Sequence, residues 1–389
     1  MALGRHDGLS PRHVRHSGAA RLRGSNPVGE TRRDGAGASP GRRGNRVSGT
    51  SHSCRPLGGG LPRSYGAVVG RDESEVVGWL LAGDPSIRWQ ALESLLGSPA
   101  AEVGAERARV ATEGWGAELL ARQDAEGTWA QGLYSPKWVS TTYTMLLLRD
   151  LGLPADHPQA QRACAVMLDA AVGPRSRGGI GWASETCIAG LVLSILSAFE
   201  VDDDRLERFA DYLLGEQMSD GGWNCQYRRG AHHASMNTTI LALEGLIRYE
   251  RHRAGQSGRR TAVRDAQHRG REFLLVHHLY RSHHSGKVIQ RNYVRFAFPP
   301  QWHFDVLRGL DYFRDAGAPR DARLVDGIDL LRSKQGPDER WPLEHRYKAR
   351  EWFDMETVGR PSRWNTPRAL RVLTWWDADD PIPNPTLRP

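Results

Sequence analysis

Gln123-Asp-Ala-Glu-Gly127-Thr-Trp129 and Gln217-Met-Ser-Asp-Gly221-Gly-Trp223 repeat one spacing, a Gln at one end and Gly-x-Trp at the other. Gln335-Gly-Pro-Asp-Glu339-Arg-Trp341 keeps the Gln and the Trp but lacks the Gly, and Gly178-Gly-Ile-Gly-Trp182 keeps only the Gly-Trp end. A Gly at a helix end supplies a left-handed turn. A Trp placed just beyond it can lie across the turn and staple one helix pair to the next. Recurrence of such a unit along a chain is the mark of a repeat architecture.

Two kinds of segment alternate around these turns. Residues 113–123, 158–172, 204–217, 264–280 and 320–335 are amphipathic and charged. Within 204–217, Leu206, Phe209, Leu213 and Leu214 recur at helical spacing, behind cap-type residues Asp202 to Asp204. Residues 139–151, 186–199, 238–249, 302–313 and 366–376 are far more apolar. A helix that is apolar on most faces must be surrounded by protein, so these form an inner layer and the charged set an outer one. The reading is an all-α fold, an α/α toroid of inner and outer helices. Asp84-Pro-Ser-Ile-Arg88-Trp-Gln-Ala91 could instead open a HEAT-type solenoid. The long, Trp- and Gly-bearing connections favour a closed ring.

The remainder of the chain is compositionally different. Residues 1–70 hold twelve Arg, three acids and fifteen Gly, with no Trp, Phe or Ile, and carry a net charge of +9. The whole chain is +8, so everything beyond is close to neutral. Such a segment buries too little apolar surface to offset its ordering entropy, and the expectation is a disordered Arg/Gly/Ser-rich tail, or translation upstream of the true start. An arm for nucleic acid lacks interleaved aromatics, and a targeting peptide lacks an apolar stretch. The expected organisation is tail 1–70, toroid 71–380 and a Pro-rich end 381–389. No apolar run is long enough to cross a membrane. Cys54, Cys164, Cys187 and Cys225 lack paired spacing, which suits free thiols and the cytoplasm.

The repeated turns between apolar helices resemble those of the terpenoid (squalene) cyclases and the protein prenyltransferase β subunits. Five stretches are also similar to uncharacterised actinobacterial "squalene cyclase-like" or "prenyltransferase-like" proteins: WLLAGDPSIRWQAL (79–92), STTYTMLLLRDLGL (140–153), GGWNC (221–225), FPPQWHFDVLRGLDYFRDAGAPRD (298–321) and PSRWNTPRALRVLTWW (361–376). The resemblance implies a toroid with a central cavity for an isoprenoid. The motifs of the named enzymes do not carry over with it. The D-x-D-D pattern of proton-donating cyclases occurs only as Asp377-Ala-Asp379-Asp380, an acidic stretch beyond the last helix. The Asp-x-Cys pair of the prenyltransferase zinc site has no counterpart at Cys225, and Asn237 stands where the similar proteins often have His.

In a double ring the starts of the inner helices share one end of the cavity. Lys137, Trp138, Tyr143, Glu185, Cys187, Cys225, His233, Asn237, Trp302, His303, Asp305, Arg363, Trp364 and Asn365 all lie near such starts. Asp305 is the candidate acid, oriented by His303 and His233, with Asp354 and Glu356 as weaker candidates. Trp138, Tyr143, Glu185, Asn237, Trp302, Arg363, Trp364 and Asn365 are candidate substrate contacts. Cys225, His233, His303 and Asp305 are a possible mixed zinc set, although helix capping explains the same groups. The histidine pairs at 277–278 and 283–284 read as solvent-facing. The leading expectation is a hydrophobic, isoprenoid-type ligand with cyclase or prenyl-transfer chemistry. A non-catalytic toroid that binds a ligand or protein partner is the first alternative. A glycan-processing (α/α) barrel is the second, and would need two carboxylates on one cleft, such as Asp305 with Glu185 or Glu356.

Overall fold

In the computed structural model, which describes residues 75–176, 178–253 and 258–378, the repeated turns are three copies of one device. Trp129, Trp223 and Trp341 are fully buried. Each indole N–H donates back into the preceding helix, to Leu119 O at 2.8 Å, Leu213 O at 2.7 Å and Leu331 O at 2.8 Å respectively. Each Trp backbone N–H meets a Thr hydroxyl near the start of the next helix: Thr141, Thr239 and Thr366. The Gln217 side-chain amide donates to Gly221 O at 2.7 Å and Ala266 O at 2.9 Å, tying its turn to the following outer helix. Gln123 does the same with Gly127 and Gln159. Gly127 and Gly221 are left-handed, and Glu339, where the third copy lacks its Gly, keeps the same turn at φ 60°. A β-carbon at Gly221 would come 2.6 Å from Arg269 O, so glycine there serves close packing as well as the turn.

The helices in order are α1 (Glu75–Leu81), α2 (Pro85–Ala91), α3 (Ala100–Ala108), α4 (Gly114–Leu120), α5 (Thr141–Leu151), α6 (Pro158–Ala171), α7 (Thr186–Ala198), α8 (Leu206–Gly215), α9 (Met236–Arg253), α10 (Arg260–Val276), α11 (Val306–Asp315), α12 (Val325–Ser333) and α13 (Asn365–Trp376). There is no strand among the described residues. The inner ring is α2, α5, α7, α9, α11 and α13, with α4, α6, α8, α10 and α12 outside. Inner helices α7 and α9 approach until their backbones touch: a β-carbon at Gly190 would sit 2.5 Å from Leu241 O. No α7 residue is among those lining the central hollow, in keeping with its mostly apolar faces.

The ring closes. Arg363 Nε donates to Trp79 O at 3.0 Å, and the Arg340 and Arg363 guanidinium groups both lie 4.6 Å from the Trp79 ring. Arg371 on α13 reaches Gln90 on α2 at 3.2 Å. The last inner helix therefore packs on the first, as a toroid requires and a solenoid does not.

Element boundaries shift where charge misled. Helix α9 continues past Tyr249 to Arg253, whose buried guanidinium is held by Asp202 and Asp204 and whose neighbour His252 meets Val201 O. Helix α11 starts only at Val306, since Asp305 caps it by accepting from Arg308 N at 2.8 Å. Asp202 and Asp204 do not cap α8; they accept from Arg253 at 2.8 and 2.6 Å. The expectations for 1–70, 381–389 and the Asp379-Asp380 half of the acidic motif fall outside the described residues.

Candidate functional site

The starts of the inner helices form one end of the ring, and aromatic rings plug it. His303 is sandwiched between Trp302 and Tyr347, with centroids 3.7 and 3.3 Å away. Trp138 meets Tyr143 edge-on at 4.7 Å and donates its indole N–H to Tyr347 O at 3.1 Å. Lys137 covers the Trp138 and Trp302 rings at 5.6 and 5.4 Å. Burial lowers the His303 pKa to about 3, so the imidazole is neutral. A cavity lined by Trp138, Phe298, Gln301 and Glu356 measures about 30 Å³, space for about one or two waters.

The other candidates at this end are spread over separate contacts. Asp305 is buried, with Oδ1 accepting from Arg308 N at 2.8 Å and Oδ2 from Ala297 N at 3.2 Å. Burial raises its pKa against the pull of Arg368 and those N–H groups. Asn237 Oδ1 accepts from Phe304 N at 2.7 Å, and Glu185 lies 3.5 Å from Arg229. His233 is exposed, its backbone carbonyl accepting from Asn224 Nδ2 at 2.7 Å. Cys225 lies beside Cys187; the hydrogen bond from Cys187 lowers the Cys225 pKa to about 6 and leaves that of Cys187 raised. No three His, Cys, Asp or Glu side chains among the described residues gather as a metal set, so Cys225, His233, His303 and Asp305 do not assemble a zinc site. Arg363 works at the ring seam with Trp79, and Asn365 Nδ2 donates to Pro342 O at 3.0 Å. Trp364 stacks on Phe298 at 4.0 Å and forms part of the lining of the hollow on the other side.

That hollow, toward the ends of the inner helices, is a well of about 480 Å³ with eight arginines and five carboxylates in its wall. The positive charges are Arg107, Arg149, Arg248, Arg251, Arg308, Arg314, Arg368 and Arg371; the acids are Glu93, Asp150, Glu244, Asp311 and Asp315. Trp89, Tyr312 and Trp364 add aromatic surface. Arg308 forms a fork on Glu244, two bonds of 2.7 Å, and sends its remaining nitrogen to His303 O at 2.7 Å and Gln301 O at 3.0 Å. It thereby joins the well to the plug. Asp311 accepts from Arg371 at 2.8 Å and Arg368 at 3.2 Å, with Arg314 3.4 Å away. Burial pushes the carboxyls of Asp311 and Glu244 up, but their arginines more than offset it and hold both below the usual range.

None of these lining residues except Trp364 stood out as a ligand contact in the sequence. The signal that could have found them is charge on helices assigned to the inner layer. Glu244, Arg248 and Arg251 follow helical spacing on α9, as do Arg308, Asp311 and Arg314–Asp315 on α11, and Arg368 and Arg371 on α13. A charged stripe on an enclosed helix has only the hollow to face.

No protein-family model matches this sequence, and no curated protein matches it. Among solved structures, a polysaccharide lyase is similar at 12% identity and TM-score 0.37, over 61% of this chain and 72% of that one. A glycosyl hydrolase family 88 protein from Bacteroides vulgatus is similar at 10% identity and TM-score 0.45, over 78% and 90%. Likeness this distant concerns the fold and assigns no activity. It corrects the resemblance read from sequence all the same: these structural neighbours are named as glycan enzymes, not as squalene cyclase-like, terpenoid cyclase-like or prenyltransferase-like proteins. The well agrees with that correction, because a charged wall cannot solvate an isoprenoid chain. A hydrophobic ligand with cyclase or prenyl-transfer chemistry does not fit this wall. What the fold and cavity define is an α/α toroid with an arginine-lined central well. Among the described residues no helix is long and apolar enough to cross a membrane.

Proposed function

We propose that this chain belongs functionally with glycan-processing (α/α) barrels and takes an acidic saccharide into its central well. The observation that carries the reading is the wall itself, eight arginines interleaved with five carboxylates around one hollow. Guanidinium donors and carboxylate acceptors together match arrays of sugar hydroxyls, and the excess positive charge favours a ligand bearing carboxylates. Trp89 and Trp364 contribute aromatic atoms to the lining, although Arg107 lies over the Trp89 ring and Phe298 stacks on Trp364. A highly charged polyphosphate suits the wall less well, since the five acids would repel it.

Hydrolysis by a carboxylate pair needs one carboxyl held protonated near neutral pH. The arginine partners keep Glu244 and Asp311 ionised, so in this reading they accept hydroxyls and are not the acid. Asp305 and Glu356 are the carboxyls with raised pKa, through burial, and Glu356 is held by Ser362 Oγ at 2.5 Å and Trp364 N at 3.2 Å. Cys164, Cys187 and Cys225 are free thiols, which supports a reducing, cytoplasmic setting.

Calorimetric titration of the full chain with oligo-hexuronates and with neutral oligosaccharides of equal length tests the reading. The expected result is binding of the acidic series that weakens with salt, alongside little binding of the neutral series. Absence of binding by both series would overturn it.

A further inference from the structure

Seven of the eight arginines in the well have a hydrogen-bond or ion-pair partner, and one does not. Arg149 is held by Asp150 at 2.5 and 2.8 Å and by Ser194, Arg251 by Asp315 at 3.0 Å, and Arg308 by the Glu244 fork. Arg248, one turn beyond Glu244 on α9, has no hydrogen bond or ion pair among the described residues, although it lines the same wall. Each nearby carboxylate is already engaged: Asp150 by Arg149, Asp315 by Arg251, Glu244 by Arg308. Burial and the nearby Arg149 charge both work against the Arg248 cation, and together they outweigh the pull of Asp315, Asp150 and Glu244. A second donor in the well is also open. Arg368 is 6% exposed, and its Nη1 is buried without a hydrogen-bond partner.

An unpaired guanidinium beside another cation in a recessed wall is unfavourable to the empty fold, and it is favourable only to an anion that arrives from outside. We infer that Arg248, with Arg149 beside it, receives one carboxylate of the ligand, while the open Arg368 nitrogen takes a neutral acceptor such as a sugar hydroxyl. The planar fork of arginine matches a carboxylate with two parallel bonds. The surrounding Glu244, Asp150 and Asp315 select a single negative charge over a dianion. The ligand's chemical class rests on the saccharide reading above; the placement of the anion at Arg248 rests on the open guanidinium alone.

The test compares the full-length protein with Arg248→Gln and Arg248→Lys, and with Arg264→Gln as a control, since Arg264 pairs with Glu250 outside the well. Thermal midpoints are read with no ligand, with oligo-glucuronate, with neutral oligo-glucose and with inorganic phosphate. Without ligand, Arg248→Gln is expected to melt about 2 °C higher than wild type, because a like-charge contact is removed. Its affinity for oligo-glucuronate is expected to fall about tenfold or more, with partial recovery in Arg248→Lys and no change in Arg264→Gln. If Arg248→Gln binds oligo-glucuronate as wild type does, the inference fails and the saccharide reading survives. If wild type responds to phosphate and not to oligo-glucuronate, and Arg248→Gln loses that response, the open arginine is an anion site but the saccharide reading fails. A lower midpoint for Arg248→Gln without ligand makes Arg248 a structural residue and overturns the inference.

Discussion

The two ends of the ring are built from opposite materials. At the helix starts, Trp302, His303, Tyr347, Trp138 and Tyr143 stack into a plug with a water-sized gap beside it. Toward the helix ends, the same inner helices present arginine and carboxylate to a well of about 480 Å³. The contrast teaches that residue types suggestive of chemistry do not mark the site by themselves. The aromatics and His303 at the plug pack on one another, whereas ordinary-looking charges on the enclosed inner helices line the well. Arg308 couples the two ends, since it pairs with Glu244 in the well and bonds the Gln301 and His303 carbonyls of the plug.

The sharpest way to break this division is therefore Arg308→Ala. It strands Glu244 in a recessed wall, and the expected loss is about 3–5 kcal/mol in urea denaturation, with both ends disturbed. Next comes Trp138→Ala, expected to lose about 3 kcal/mol of stability as a buried plug side chain while leaving saccharide affinity unchanged. A drop in affinity without a stability change would mean that the plug end binds the ligand. Gly190→Ala separates α7 from α9 and should lower stability by about 1–3 kcal/mol, again by denaturation, through overpacking against Leu241. The smallest effect is on pH dependence. The folded-state pKa of His303 is lowered to about 3, below the ordinary imidazole value, so the unfolded chain takes up a proton first. Its contribution is intact above about pH 6.5 and is lost as pH falls from there toward 3. Thermal midpoints of His303→Gln should fall less steeply over that window than those of wild type.

The fold was legible because its signals were local and repeated. Trp129, Trp223 and Trp341 each announce a turn, and apolar segments such as 186–199 announce an inner layer. Even the missing Gly of the third copy did not matter, since Glu339 is held in the same left-handed turn by its neighbours. Ring closure was legible only as a preference, because the contacts that seal it, Arg363 to Trp79 and Arg371 to Gln90, join the two ends of the domain. The site was hidden for a related reason. Glu244 and Arg248 lie on a helix read as inner and apolar, so their charges drew no attention, and only the circle of neighbouring helices shows that they share one hollow. Asp305 and Asn237 look like a reacting acid and its neighbour, yet their oxygens accept backbone N–H groups. A single sequence does not say whether a polar side chain at a helix start faces a ligand or its own main chain.

The most direct measurement is a crystal structure of the full chain grown with saturating oligo-hexuronate. The account predicts saccharide density inside the well, with a carboxylate on Arg248. Density on the Trp302–His303–Tyr347 stack, with the well empty, would contradict it.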